Sequence, residues 1–179
     1  MFTQLWFDAT GLDNFRKYAP QSGEILEIGC YEGRATCWLL NHTTANVTVI
    51  DTFLGSPEMV GKGISTSSIK QRFMENTRQW KKRITIVEGY SQDVLKTINK
   101  RFDFVYVDGS HYAADALRDI VYSWDLLKRN GIMIMDDYVW GDYESSVPVT
   151  RMAIESFLLC YEGQYEVLAK NAQCVVKKI

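Results

Sequence analysis

From residue 24 onward, short runs of branched apolar residues alternate with longer stretches in which apolar positions recur every three or four residues. The runs are Glu24–Ile28, Val47–Ile50, Ile84–Val87, Phe102–Val107 and Ile132–Met135. Their length and their Ile and Val content fit strands buried on both faces of a parallel sheet. Between them, Ser68–Lys82 carries Ile69, Phe73 and Trp80 on one side, which predicts a helix covering the sheet. Tyr112–Arg129 places Ala113, Ala116, Leu117, Ile120, Val121, Trp124 and Leu127 at helical spacing, with Gly131 beyond its end. Pro148 takes a tolerated first-turn position ahead of a further helix, Val149–Tyr161. The last two runs, Gln164–Lys170 and Cys174–Ile179, are joined only by Asn171-Ala172-Gln173, which predicts an antiparallel hairpin. The pattern as a whole predicts a doubly wound α/β fold with a mostly parallel seven-stranded sheet closed by that C-terminal hairpin. Residues 24–179 make up this domain; residues 1–23 precede it and hold one short helix.

Composition narrows the class. A chain of 179 residues, 46% hydrophobic and 23% charged, is large enough to bury a core without disulfide staples. Its net charge of −2 argues against a nucleic-acid partner. The basic cluster Lys81-Lys82-Arg83 falls at a predicted helix end, where positive charge favours the helix dipole. Cys30, Cys37, Cys160 and Cys174 show no metal-finger spacing and read as small apolar residues in a reducing compartment. The N-terminus lacks a secretory pattern, and no apolar run approaches the roughly 20 residues of a membrane span. A soluble, cytoplasmic protein is the expectation.

Candidate chemistry collects where the runs stop. In doubly wound sheets ligands bind outside the carboxyl ends of the strands. Asp108, Asp136 and Asp137 all fall there and should share one crevice. The first run leads into Glu27-Ile28-Gly29-Cys30-Tyr31-Glu32-Gly33. Gly29 permits a tight turn and close backbone approach, and Gly33 lets a helix start against the sheet. This spacing is not the G-x-G-x-x-G of dinucleotide sites, which disfavours a nicotinamide enzyme. Asp51, 22 residues after Gly29, either ends its strand or accepts both hydroxyls of a ribose. Together these features point to an adenosine-containing ligand whose middle is not a pyrophosphate.

The stretch EIGCYEGRAT resembles the glycine-rich turn of class I S-adenosylmethionine-dependent methyltransferases. The resemblance is closest to catechol O-methyltransferases and related metal-dependent O-methyltransferases, including those acting on natural-product sugars, and it runs from Glu24 onward. It implies that Glu27, Gly29, Tyr31 and Gly33 surround the methionine part of the cofactor and that Asp51 holds the ribose. In Gly89-Tyr90-Ser91-Gln92-Asp93, it implies that Ser91 and Gln92 contact adenine. Ser91 could equally cap a helix starting at Gln92.

Three aspartates at neighbouring strand ends resist joint ionisation unless a counter-charge is supplied. A hard divalent cation resolves this, Mg²⁺ first and Mn²⁺ or Ca²⁺ as alternatives, since no histidine or thiolate partner shows in the sequence. One of the carboxylates could instead cap a helix or bind an arginine. The resemblance assigns the metal to Asp108, Asp136 and Asp137, the last often asparagine in those enzymes, and counts Asp108 among the cofactor contacts. The position matching His111 is there a lysine or a histidine acting as general base. An imidazole, with an unperturbed pKa near 6.5, suits that task. His42, by contrast, reads as a solvated residue ending a helix.

Around this site, Thr52–Ser67 is a candidate lid. Tyr138, Trp140 and Tyr143 either wall the acceptor or pack their own loop. The stretch before the first strand leaves the acceptor pocket open or walled by a second copy of the chain, making a homo-oligomer compatible. The expected activity is O-methylation of a small-molecule hydroxyl, sugar-like or catechol-like, without nucleic acid or membrane. The alternative is a non-catalytic cofactor-binding or scaffold protein. A base-modifying methyltransferase would carry an Asn-Pro-Pro-Tyr-like string, and an iron oxygenase would carry histidine ligands.

Overall fold

Apolar runs bounded by turn residues become seven strands: β1 Glu24–Ile28, β2 Asn46–Asp51, β3 Ile84–Glu88, β4 Phe102–Val107, β5 Leu127–Met135, β6 Tyr165–Lys170 and β7 Cys174–Lys178. The computed structural model describes residues 1–56, 59, 63, 65–139 and 149–179. The strands form one sheet in the order β3-β2-β1-β4-β5-β7-β6. β1 to β5 pair in parallel, and β7 runs antiparallel to both β5 and β6. The chain builds outward from β1 to β3 and then crosses back to lay β4 on the other side of β1. The switch point between β1 and β4 is where a doubly wound sheet opens its crevice.

Period-two alternation sends Leu26, Val105, Met133 and Met135 to one face of the sheet, and Ile25, Phe104, Tyr106 and Ile134 to the other. Helices Ala113–Leu126 and Thr150–Cys160 cover the first face with Ile120, Trp124, Ile154 and Phe157. Helices Leu12–Tyr18, Arg34–His42 and Ile69–Thr77 cover the second with Phe15, Trp38, Leu39 and Phe73. The N-terminal segment holds two helices, Trp6–Thr10 and Leu12–Tyr18, rather than one. Phe15 packs edge-on against Phe104 and Tyr106, so this segment shares the core of the sheet.

Several boundaries differ from expectation. The helix from Ala113 stops at Leu126 because Leu127 turns extended (ψ 132°) and pairs with Phe102. β3 lies at the sheet edge and is only partly covered, not buried on both faces. The helix from Ile69 ends at Thr77 and gives way to a single tighter turn, Arg78–Trp80. Arg83 caps a different helix from the one expected: its guanidinium donates to the carbonyls of Leu40, Thr43 and Ala45 after Arg34–His42. Cys30, Cys37 and Cys174 are buried, but Cys160 is exposed and contributes nothing to the core. His42 ends its helix as expected and stacks on Trp38. Pro148 lies outside the described residues. Among the described residues, no helix is long and apolar enough to cross a membrane.

Candidate active site

Where β1 ends, the chain makes left-handed steps at Gly29 (φ 80°), Tyr31 (φ 48°) and Gly33 (φ 81°). Asp51, at the end of β2, holds this turn: its Oδ2 accepts the Cys30 and Tyr31 N–H groups at 2.8 and 2.9 Å, and its Oδ1 accepts the Phe53 N–H at 2.7 Å. A Cβ built on Gly29 would lie 1.9 Å from the Asp108 carbonyl oxygen, so β1 and β4 approach this closely only with glycine. We expect Gly29→Ala to destabilise the fold by more than ~2 kcal/mol, through left-handed strain plus the clash. A urea midpoint equal to that of the wild type would show that the two strand ends are free to part.

The turn, the end of β2, the Gly89–Gln92 segment and the loop after β4 enclose a cavity of about 440 Å³. Glu27, Gly29, Tyr31, Asp51, Ser91, Gln92, Asp108 and His111 all line it. Gly33 does not; a Cβ there would meet the Phe73 ring at 2.8 Å, so this glycine lets the following helix sit on Ile69–Thr77. Gln4, Trp6 and Phe7 add a wall from the N-terminal segment. That segment is tied to the turn by Glu32, which accepts the Thr3 N–H and hydroxyl and the Arg72 guanidinium. Thr52, Gly55, Ser56 and Met59 of the expected lid also line the cavity; its residues 57, 58, 60–62 and 64 lie outside the described residues.

Glu27 is fully buried, with Oε2 accepting the Thr36 hydroxyl at 2.7 Å and Oε1 without a partner among the described residues. Burial pushes its carboxyl up to about 8, helped by the nearby Asp51 charge and opposed by Thr36. Ser91 opens the short helix Ser91–Val94 but is not its cap, a position Tyr90 occupies with no side-chain capping bond. The Ser91 side chain lies instead beside the Asp119 carboxyl, where it favours the ionised form against burial.

At the β4 side, Asp108, His111 and Asp137 bring ligand-type atoms within 4.8 Å of one another. His111 Nε2 lies 2.9 Å from Asp137 Oδ2. Asp137 adopts a left-handed backbone (φ 58°). Its neighbour Asp136 faces elsewhere: Oδ1 accepts the Asp137 N–H, and Oδ2 accepts the Gln173 amide at 2.8 Å and the Tyr106 hydroxyl. The same Tyr106 hydroxyl lies 2.8 Å from Asp108 Oδ2. One hydroxyl hydrogen serves one acceptor, so both contacts together call for a proton on one of the carboxyls. Burial and mutual repulsion raise both aspartates above the usual carboxylate range, consistent with that proton.

Of the predicted metal set, the structure therefore groups Asp108 and Asp137 with His111, and sets Asp136 behind them. Three donor atoms at this spacing fit a divalent cation, with an imidazole that the sequence pattern had assigned to proton transfer alone. Tyr106 and Gln173 were missed. Tyr106 carried a signal: a tyrosine two residues before Asp108 in an apolar strand shares its face. Gln173 is in turn held by the buried amide of Asn14, at 2.9 Å, which wires the N-terminal segment to the site. Tyr138 is buried with its hydroxyl on Glu155, so it packs the loop rather than walling an acceptor. Trp140 and Tyr143 lie outside the described residues.

A family profile described as a methyltransferase domain matches residues 26–138. The O-methyltransferase hkm8 of Aspergillus hancockii is 26% identical over 119 residues, which are 66% of this chain and 44% of that protein. The chain thus spans less than half the length of that relative. Among solved structures, the O-methyltransferase from Bacillus cereus in complex with SAH superposes with a TM-score of 0.65 at 18% identity, over 87% of this chain and 73% of that one. TomG, the O-methyltransferase from Streptomyces achromogenes involved in tomaymycin synthesis, solved in complex with SAM, gives 0.66 at 15% identity over 87% and 72%. The fold is that of the class I methyltransferases.

Proposed function

Because this chain belongs to the methyltransferase domain family, we propose that it is an S-adenosylmethionine-dependent O-methyltransferase. Its acceptor is the hydroxyl of a small sugar-like or catechol-like molecule, and a divalent cation, Mg²⁺ before Mn²⁺ or Ca²⁺, assists. The observation that carries this is the adjacency of two half-sites in one crevice. A cavity within the roughly 300–1,000 Å³ range of small-molecule sites is lined from Glu27 to Gln92, and the Asp108–His111–Asp137 group sits at its β4 side.

Glu27 and Gly29 hold the methionine part, Asp51 the ribose, and Ser91 with Gln92 the adenine. When bound, the cofactor supplies an electrophilic methyl group and the cation a positive charge that acidifies a nearby hydroxyl. His111 accepts the proton of that hydroxyl, and Asp137 holds the imidazole in place. Alignment of the acceptor oxygen within a water-poor crevice provides much of the acceleration. Tyr112 and Val139, exposed next to His111 and close to Asp137 in the chain, are where a second copy of the chain would wall the acceptor. Three buried thiols suit a reducing, cytoplasmic setting.

The test is calorimetric titration of metal-stripped protein with S-adenosylhomocysteine, with and without Mg²⁺, repeated with Asp137→Ala. We expect nucleoside binding in both proteins and Mg²⁺ binding in the wild type only. Nucleoside binding with no metal response would remove the cation from the mechanism. No nucleoside binding would overturn the assignment.

A further inference from the structure

Of Asp108, His111 and Asp137, only Asp137 has a left-handed backbone (φ 58°). An aspartate persists in that conformation when its surroundings hold it there. Both of its chain neighbours are held, and by the same piece of chain. The hairpin of β6 and β7 brings its tip, residues 171–173, to the end of β5, where Cys174 pairs with Met135. Ahead of Asp137, the Gln173 side chain donates to Asp136 Oδ2 at 2.8 Å, and Asp136 Oδ1 accepts the Asp137 N–H at 2.8 Å. Behind it, the Tyr138 N–H donates to the Ala172 carbonyl at 2.9 Å. Tyr138 is itself anchored, its hydroxyl on Glu155 and its ring against the Arg151 guanidinium.

We propose that Gln173 is a positioning residue for the cation group: with Ala172 it clamps Asp137 in the left-handed turn that brings its carboxylate to His111. This rests on the cation-assisted reading of the site and extends it to the hairpin tip. Gln173 is fully buried. It can hold Asp136 only through its amide nitrogen, because the amide oxygen is an acceptor facing another acceptor. Asn14, in the helix Leu12–Tyr18, makes that choice. Its buried amide donates to Gln173 Oε1 at 2.9 Å and to Asn171 Oδ1 at 3.1 Å. Asn171 Oδ1 also accepts the Gln173 N–H at 3.0 Å, which braces the tip from within. With its oxygen occupied, Gln173 has only N–H groups left for Asp136. Asn14 thus acts on the cation group through Gln173.

The experiment titrates metal-stripped protein with Mg²⁺, and separately with S-adenosylhomocysteine, for wild type, Gln173→Met, Asn14→Leu and the double variant. Gln173→Met keeps the volume and removes the clamp. It should weaken Mg²⁺ binding by about 10-fold, the fraction lost when a left-handed step is no longer held. S-Adenosylhomocysteine affinity should stay within about 3-fold of wild type, since Glu27, Asp51 and Ser91 lie at other strand ends. Asn14→Leu should weaken Mg²⁺ in the same sense, and the double variant should be no worse than Gln173→Met, because the two act as one unit. Thermal unfolding reports which variants fold; if Gln173→Met does not, Asn14→Leu decides alone. Unchanged Mg²⁺ affinity in a folded variant overturns the inference, and so does an equal loss for both ligands, which would make the tip a general support of the crevice. If wild type binds S-adenosylhomocysteine but no Mg²⁺, the cation leaves the proposed mechanism and this inference falls with it.

Discussion

Replacing Glu27 by glutamine should stabilise the ligand-free protein above pH 5 while weakening its hold on the cofactor. The folded carboxyl, at about 8, lies above the ordinary glutamate value of 4.5 because it is buried without a cation. Below pH 4.5 the carboxyl is protonated in both folded and unfolded chains and costs nothing. As pH rises past 4.5 the unfolded chain releases its proton while the folded chain keeps it, so stability falls until about pH 8 and then levels off. The loss relative to a non-titrating glutamine should reach roughly 3–5 kcal/mol at pH 8. Denaturant midpoints of wild type and Glu27→Gln from pH 4 to 9 measure it: the curves should meet at the acid end and part above it. On the proposed assignment of the methionine part to Glu27, the ammonium of a bound cofactor would favour the ionised carboxylate. Binding at pH 7 should therefore release a proton, seen as a binding enthalpy that varies with the buffer's ionisation enthalpy. The variant should lose that release and bind about 10- to 100-fold more weakly, the worth of one charge-assisted hydrogen bond. Parallel stability curves would mean that Glu27 is already ionised in the free protein.

Much of this fold is legible as pattern because central parallel strands, covered on both faces, must be continuous apolar runs. Glu24–Ile28 and Phe102–Val107 match their strands to the residue. The misplaced end of the helix at Leu126 has a physical cause. Leu127 satisfies both the helical spacing and a strand position opposite Phe102, and only the sheet decides between them. The edge position of β3 is likewise set by strand order, which composition does not encode.

The site was legible to the extent that topology alone dictates it. Strand-end aspartates must converge once the sheet is parallel, and Glu27, Asp51, Ser91, Gln92 and Asp108 do face one cavity. Which carboxylate joins Asp108 and His111 is another matter. Asp136 and Asp137 are neighbours with the same chemistry, and the choice between them is made by the Tyr106 hydroxyl and by Gln173, 37 positions away.

His111→Ala should lower the rate of methyl transfer by about 10²- to 10⁴-fold, the usual worth of a general base, while leaving S-adenosylhomocysteine affinity within about 3-fold of wild type. The pairing of His111 with Asp137 makes Asp137→Asn the sharper companion experiment. If Asp137 holds a cation, asparagine weakens that hold, and raising Mg²⁺ or Mn²⁺ should restore much of the rate. If Asp137 only orients the imidazole, the loss is in kcat and no concentration of metal recovers it. The two variants also separate the roles of His111 itself. An imidazole that binds the cation should, once removed, raise the metal concentration needed for half-maximal rate, whereas a pure proton acceptor should leave that concentration unchanged and remove the acidic limb of the pH–rate profile. We expect the second pattern, because the carboxylates of Asp108 and Asp137 already supply the hard oxygen donors that such a cation prefers. Near wild-type turnover in His111→Ala, at any metal concentration, would place the base elsewhere in the crevice.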